Sequence, residues 1–206
     1  MISPKQGQPT ARTERTVEGA DWYAKELTGE THERVLFTDL DLTEAKLQGM
    51  VFNECVFRRA QFNCSVHRDG AFVNCTFQNC SFFETSFAEC KLLGSTFERC
   101  TYDLMRVAGG NWAHVALSGA DLRKATFEGA RLREADLTGA RCQGAVLREC
   151  DLTSAWLSGA VLTECDLRGS DLAGIEPENL SLRGAIITIE QAVTIVEALG
   201  LDVRAD

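Results

Sequence analysis

The 206-residue chain has no apolar run longer than a few residues, so no segment reads as membrane-spanning. Residues 1–16 are polar and lack the apolar core of a secretion signal, which points to a cytoplasmic protein. Basic residues are outnumbered, with 21 Lys and Arg against 30 Asp and Glu and a net charge of −9. That balance argues against a nucleic-acid binder and for a basic partner or simple solubility. There are three prolines and three histidines. His32, His67 and His114 are scattered, and no CxxC, HExxH, GxSxG or Walker-type motif occurs. Nothing therefore marks a metal centre, a nucleophile with its base, or a nucleotide cradle, and no cofactor or enzymatic activity is expected. Nine cysteines without a secretion signal read as reduced thiols.

What the chain does have is a period. Every fifth residue from Phe37 to Leu172 is apolar, counting Cys142, with His67 the one exception. The residue two places before each of these centres is Ala, Cys, Ser, Gly or Thr, except at Val35, Leu40, Met50, Met105 and Val115. The frame never slips. Five residues overshoot a helical turn by about 140°, and an odd step along a strand sends successive centres to opposite faces. The period instead fits a chain that turns a corner every five residues, sending one large and one small side chain inward per side. Four sides close a twenty-residue coil, and about eight coils stacked at about 4.8 Å form a β-solenoid.

The pattern, as in ADLRK ATFEG ARLRE ADLTG, resembles the pentapeptide-repeat family over roughly residues 35–187. The resemblance implies an all-β fold, a right-handed quadrilateral β-helix. Aromatic centres dominate the first half (Phe37, Phe57, Phe77, Phe97) and leucines the second (Leu117, Leu137, Leu157). Met105 and Gly110 stand at small positions, which predicts wider or irregular coils over 102–115. Seven cysteines occupy the inward small position and read as small buried hydrophobes. Cys55 with Cys75, and Cys80 with Cys100, stand one coil apart, within disulfide reach. His67 reads as a tolerated core substitution partly satisfied by backbone.

The expected organisation is a flexible arm at 1–16, the β-helix at 17–187, and a capping or dimerisation helix with tail at 188–206. The first coil, with Lys25 and Glu30 at small positions, reads as frayed or only partly formed, and the repeat as stopping at 175–179, where Pro177 takes a centre, before Leu182 and Ile187 recover the frame. Thr188 and Gln191 form a capping box, apolar residues recur at helical spacing, and Gly200 suits a stop, which predicts a helix over Ile189–Leu199. Apolar residues exceed what one cap consumes, so a twofold end-to-end dimer is expected, with no membrane and no nucleic acid involved.

Residues 176–206 carry two basic and six acidic side chains. In the second half, aspartate often precedes the centre. Asp121, Asp136, Asp151, Asp166 and Asp171, with Glu176 and Glu178, read as an acidic array for a partner, interrupted by Arg123, Lys124, Arg131, Arg133 and Arg141. A dimeric rod about 75 Å long and about 20 Å thick has roughly the width of duplex DNA, at under half its charge density. The unbroken rod, the shift from Phe to Leu, the irregular middle and the ending SLRGAIITIEQAVTIVEALGL resemble the topoisomerase-interacting branch of the family, which includes MfpA-type and Qnr-type quinolone-resistance proteins. The resemblance implies a DNA mimic that binds DNA gyrase, modulates or inhibits it, and protects it from fluoroquinolones or other poisons. It also implies dimerisation through Ile187, Ile189, Val193, Val196 and Leu199. The Qnr proteins carry projecting loops that this chain lacks, which makes loop-free members the nearer match. The alternative is a scaffold or adaptor for another partner, using Val73, Leu93 and Phe83, read as a patch on neighbouring sides.

Overall fold

The computed structural model describes residues 12–204. Its backbone pairs with itself every twenty residues: strand β1 (Arg15–Glu18) lies parallel to 35–38, with Arg15 opposite Val35 and Glu18 opposite Thr38. Three parallel sheets of five, seven and three strands result, and isolated bridges such as Asp41 to Gln61 extend the pairing. The architecture is the quadrilateral β-helix read from the sequence. Its four faces are named here by their inward centres. Face one carries Phe37, Phe57, Phe77, Phe97, Leu117, Leu137 and Leu157. Face two continues from Leu42, face three from Leu47 and face four from Phe52.

Two features make five residues a stable side. The second residue after most centres has positive φ, as at Glu44 (59°), Glu54 (52°) and Gly119 (65°), and this turns the corner. On many sides the corner is closed by a hydrogen bond, such as Ala45 N–H to Leu42 O at 3.0 Å. Successive coils stack their inward rings. Phe37 and Phe57 lie 5.1 Å apart at 9°, Phe57 and Phe77 5.1 Å at 10°, and Phe77 and Phe97 4.7 Å at 16°. Rings on adjacent faces meet edge-on, as Phe37 and Phe52 do at 5.9 Å, so the aromatic half is a continuous packed core.

The small inward position has its own chemistry. Where it is not Ala or Gly, its side chain often donates to the carbonyl of a centre 23 residues earlier. Ser95 Oγ donates to Phe72 O (2.8 Å), Thr85 Oγ1 to Phe62 O (2.8 Å) and Ser170 Oγ to Leu147 O (2.6 Å). Cysteine does the same more weakly: Cys75 Sγ to Phe52 O at 3.3 Å and Cys80 Sγ to Phe57 O at 3.4 Å. The thiols therefore serve as small apolar groups with a weak donor, and all nine are free. Burial raises the Cys90 and Cys150 thiols to about 11.

Several expectations change. The arm at 1–16 lies mostly outside the described residues, but Arg15 and Thr16 already belong to β1. The first coil is formed, not frayed: Trp22 N–H donates to Asp41 O (2.8 Å) and Lys46 N–H to Lys25 O (2.8 Å). Lys25 and Glu30 are exposed there, Lys25 Nζ donating to Asp21 O and Glu30 lying 3.4 Å from His32. Residues 102–115 are in register, with Arg106 opposite both Ser86 and Thr126 and Asn111 opposite Lys91. Met105 is fully buried, and Gly110 keeps the coil tight because a Cβ there would lie 2.2 Å from Cys90 O. After Pro177, which is buried and opens a 3₁₀ turn over Pro177–Asn179, the frame recovers as expected, with Ser181 paired to Val161 and Ile186 to Asp166. A proline ring is apolar enough for a centre and its fixed φ suits the turn.

His67 is fully buried and stacks on Phe87 at 4.8 Å. Its Nε2 is 2.8 Å from the Ser65 hydroxyl, which donates to Phe62 O, so the partner is a side chain rather than backbone. Its Nδ1 has no partner. Burial lowers its pKa to about 3.

Helix α1 (Ile189–Ala198) has the expected capping box: Thr188 N–H donates to Gln191 Oε1 (2.8 Å) and Gln191 N–H to Thr188 Oγ1 (3.4 Å). It ends one residue earlier than expected. Leu199 is the cap, Gly200 has φ +82°, and Leu201 N–H returns to Val196 O (3.2 Å). Gln191 joins helix to solenoid. Its buried amide donates to Leu167 O (2.6 Å) and Ser170 O (2.7 Å). It thus supplies to Leu167 the donor that the small residue of a further coil would otherwise supply.

Candidate protein-interaction surfaces

The core is closed, and hollows lie at corners on the outside, as between Glu33 and Asn74 or beside Gly109 and Gly129, so function falls to the outward side chains. Among the described residues no group of His, Cys, Asp and Glu could hold a metal, and no helix is long and apolar enough to cross a membrane.

The register distributes the acidic array over all four faces. Asp121 lies on face two, Asp136 on face one, Asp151 and Asp171 on face four, and Asp166 on face three. Among the five aspartates, Asp151 and Asp171 alone share a column. Three of the aspartates are paired with arginine. Asp121 receives Arg123 (2.7 Å) and Arg141 (2.8 Å), Asp166 receives Arg168 (2.6 Å) and Arg148 (3.8 Å), and Asp151 faces Arg133 at 3.5 Å. The hydrogen bond from Arg123 lowers the Asp121 pKa, and that from Arg168 lowers Asp166. At Asp151, burial raises the pKa, but hydrogen bonds from Thr153 and Arg133 outweigh it. Asp171 accepts from Ala173 N–H (2.9 Å) and Thr153 Oγ1 (3.2 Å). These groups stabilise corners and link coils as much as they present charge.

One surface stands apart. From residue 114 to 179, face one and its leading corner contain no Lys or Arg. They carry Glu134, Asp136, Glu176 and Glu178. Asp136 accepts from Thr138 N–H (2.9 Å), Glu176 accepts from Asn179 Nδ2 (3.0 Å), and neither forms an ion pair with Lys or Arg. The nearest base, Arg133, turns to Asp151 on face four. Glu134 lies 3.6 Å from His114. Between the carboxylates lies Trp156, half-buried and bridged by backbone to Asp136. The rest is small: Ser118, Thr138, Ser158, Gly119, Gly139 and Gly159. The sequence reading missed Glu134 and Trp156. Sorting outward positions by twenties, as for the inward centres, brings them into one column set.

The second surface is the C-terminal end. Ile189 is 82% exposed, and Ile186, Val193, Leu199, Leu201 and Val203 are exposed. Ile187 and Val196 are half-buried. Ile195 and Ile187 pack on the core, so one side of α1 covers the last coil while the other stays open. The third expected patch divides. Val73 and Leu93 are half-buried on face four, while Phe83 is on face two, two corners away and therefore opposite. Phe83 is accompanied by exposed Leu104, one coil on.

Taken together, a parallel four-sided solenoid with a five-residue frame and working surfaces on its outside is a repeat protein of the pentapeptide class. The pentapeptide-repeats model matches residues 116–153 and 145–187, and the SV2A/B/C luminal domain model matches 15–102. The chain belongs to the pentapeptide-repeat family. Pentapeptide repeat protein MfpA of Mycobacterium tuberculosis is 35% identical over 108 residues, 52% of this chain and 56% of MfpA. The match thus spans little more than half of that relative's length. The fold resembles full-length QnrB1, a plasmid-mediated fluoroquinolone resistance protein, at TM-score 0.58 and 19% identity, over 90% of this chain and 100% of that one. A trypsin-treated QnrB1 variant superposes at TM-score 0.63 and 19% identity, over 92% and 99%. At such identity the likeness speaks for fold alone.

Proposed function

We propose that this protein is a non-enzymatic, dimeric DNA mimic that binds a type II topoisomerase, DNA gyrase, in the cytoplasm. It occupies the enzyme's basic DNA-binding surface and modulates or inhibits it, and in doing so protects it from fluoroquinolones or other poisons. The observation that carries the reading is the base-free stretch of face one, an acidic strip along a rod about as wide as duplex DNA. The similarity to MfpA and the fold shared with QnrB1 support it. The rods join end to end through Ile187, Ile189, Val193, Val196 and Leu199, which concentrates acidic charge at the middle of the dimer. Of the acidic array, Asp136, Glu176 and Glu178 face the partner, joined by Glu134. Asp121, Asp151 and Asp166 are held by arginines, and Asp171 by its turn. No cofactor is required. The test is a gyrase supercoiling assay, titrating the protein with and without a fluoroquinolone. Inhibition, or supercoiling restored in the drug, supports the reading. No effect at tens of micromolar from a folded dimer removes it.

The second reading, a scaffold for another partner, is favoured by exposed Phe83 beside Leu104. If Phe83→Asp with Leu104→Asp leaves every interaction intact, that reading falls.

A further inference from the structure

An outward tryptophan on a β-helix face is an expensive choice for solubility, and this one has an unusual setting. Trp156 is half-buried on a flat sheet face, and its ring takes part in none of the aromatic contacts among the described residues. It is not a core residue displaced outward, because Leu157 and Ala155 fill the inward positions of its side. Its column neighbours one coil to either side are Asp136 and Glu176. Backbone pairing fixes the Asp136 side: Asp136 is bridged to Trp156, and Leu137 N–H donates to Trp156 O (2.8 Å). On the other side the ladder is interrupted at Glu176, which caps the 3₁₀ turn, and it resumes where Gly159 N–H donates to Asn179 O (3.0 Å). A coil step of about 4.8 Å therefore sets Asp136 next to Trp156 along the column, and Glu176 follows in the five-residue frame on the other side. Among the described residues no Lys or Arg occupies the surrounding face. Its neighbours on the face are small, and the side chain is partly covered and partly open to solvent.

An indole face attracts a cation within about 6 Å of its centroid, and a guanidinium both stacks on the ring and donates in its own plane. An indole with one aspartate paired beside it and a glutamate in the same column supplies both the ring and the acceptors. We propose that Trp156, with Asp136 and Glu176, is a docking point for an arginine side chain on a basic segment of a partner protein. The proposal rests on face one being the partner-facing side and does not depend on the partner being gyrase. Arginine fits best because it stacks on the ring while its several in-plane donors can serve more than one carboxylate. Lysine offers a point charge that satisfies one at a time.

The test uses the full chain, labelled with ¹⁵N, and an acetylated, amidated hexa-arginine peptide at low ionic strength. The protein has three tryptophans, and Trp156→Phe assigns the third indole N–H signal. The Trp156 signal is expected to move saturably while those of Trp22 and Trp112 stay in place. Trp156→Ala should weaken binding at least fivefold, and Asp136→Asn with Glu176→Gln about tenfold. Asp171→Asn on face four should change it less than twofold, and hexalysine should bind several-fold more weakly than hexa-arginine. A Trp156 signal that does not move, or Trp156→Ala binding as tightly as the parent, overturns the proposal, as does equal weakening by Asp171→Asn. The side chain points outward, so the variants should keep the parent's circular dichroism. Trp156→Phe, which retains a ring, should bind between parent and alanine variant. Saturable binding at Trp156 without any effect on gyrase upholds this inference and removes the gyrase reading. An effect on gyrase that survives in Trp156→Ala, with peptide binding unchanged, does the reverse.

Discussion

His67 shows what one residue does inside a solenoid. Its ring is accepted because it stacks like the phenylalanines around it and meets Ser65, but its Nδ1 is left dry. Burial holds its pKa near 3, below the value of 6.5 expected once unfolded. The unfolded chain therefore takes up the proton first. The neutral ring's contribution is complete above pH 6.5 and is lost as the pH falls towards 3, at about 1.4 kcal/mol per pH unit. Guanidinium titrations of His67→Phe should show a smaller loss of stability between pH 6.5 and 4 than the parent. Equal slopes would mean that the ring is not neutral in the fold. Gly110 is the opposite case, a residue defined by missing atoms. Its φ of +83° and the nearness of Cys90 O leave no room for a side chain. Gly110→Ala should cost about 2–4 kcal/mol by thermal or chemical denaturation. A loss under about 0.5 kcal/mol would mean that the coil relaxes there.

At the scale of the element, α1 is coupled to the rod chiefly by Gln191. This side chain completes the capping box and satisfies two carbonyls of the last coils. Gln191→Ala should cost about 1–3 kcal/mol, because the carbonyls lose their donors while still partly covered. The loss should appear first as faster hydrogen exchange over 180–200 with the earlier coils still protected, since solenoid stability is local. The helix itself was legible in the sequence: Thr188, Gln191 and Gly200 are local signals that act through neighbouring backbone. The regularity of 102–115 was not legible, because Met105 and Gly110 look like defects until the opposite wall of the coil is known. At Pro177 the return of the frame was legible from Leu182 and Ile187, whereas the burial of the ring at a centre, opening a 3₁₀ turn, was decided by the coil.

At the scale of the molecule, the end-to-end dimer and the acidic strip make separate predictions. Val193→Asp with Val196→Asp should give monomers by light scattering while the β-sheet circular dichroism persists. A monomeric parent protein would remove the dimer. Partner binding through face one should weaken steeply as salt rises, because its carboxylates are solvent-facing.

The five-residue period, the four inward columns and the capped helix are properties of the sequence alone. Each depends on spacing along one chain, and the burial of a large and a small residue per side admits one coil geometry. The surface depends on closure. Asp121, Asp136, Asp151 and Asp166 recur every fifteen residues, and fifteen residues is three sides of a square. Each therefore lies one face back from the last, so an array even in sequence becomes a ring in space. Folding the outward positions by twenty recovers the base-free stretch of face one. Which carboxylates arginines cover, how far Trp156 stands out of the sheet, and which side of α1 stays bare were decided only in the tertiary structure. Those outcomes depend on side chains from different coils meeting across about 5 Å, a distance that the linear order of residues does not contain.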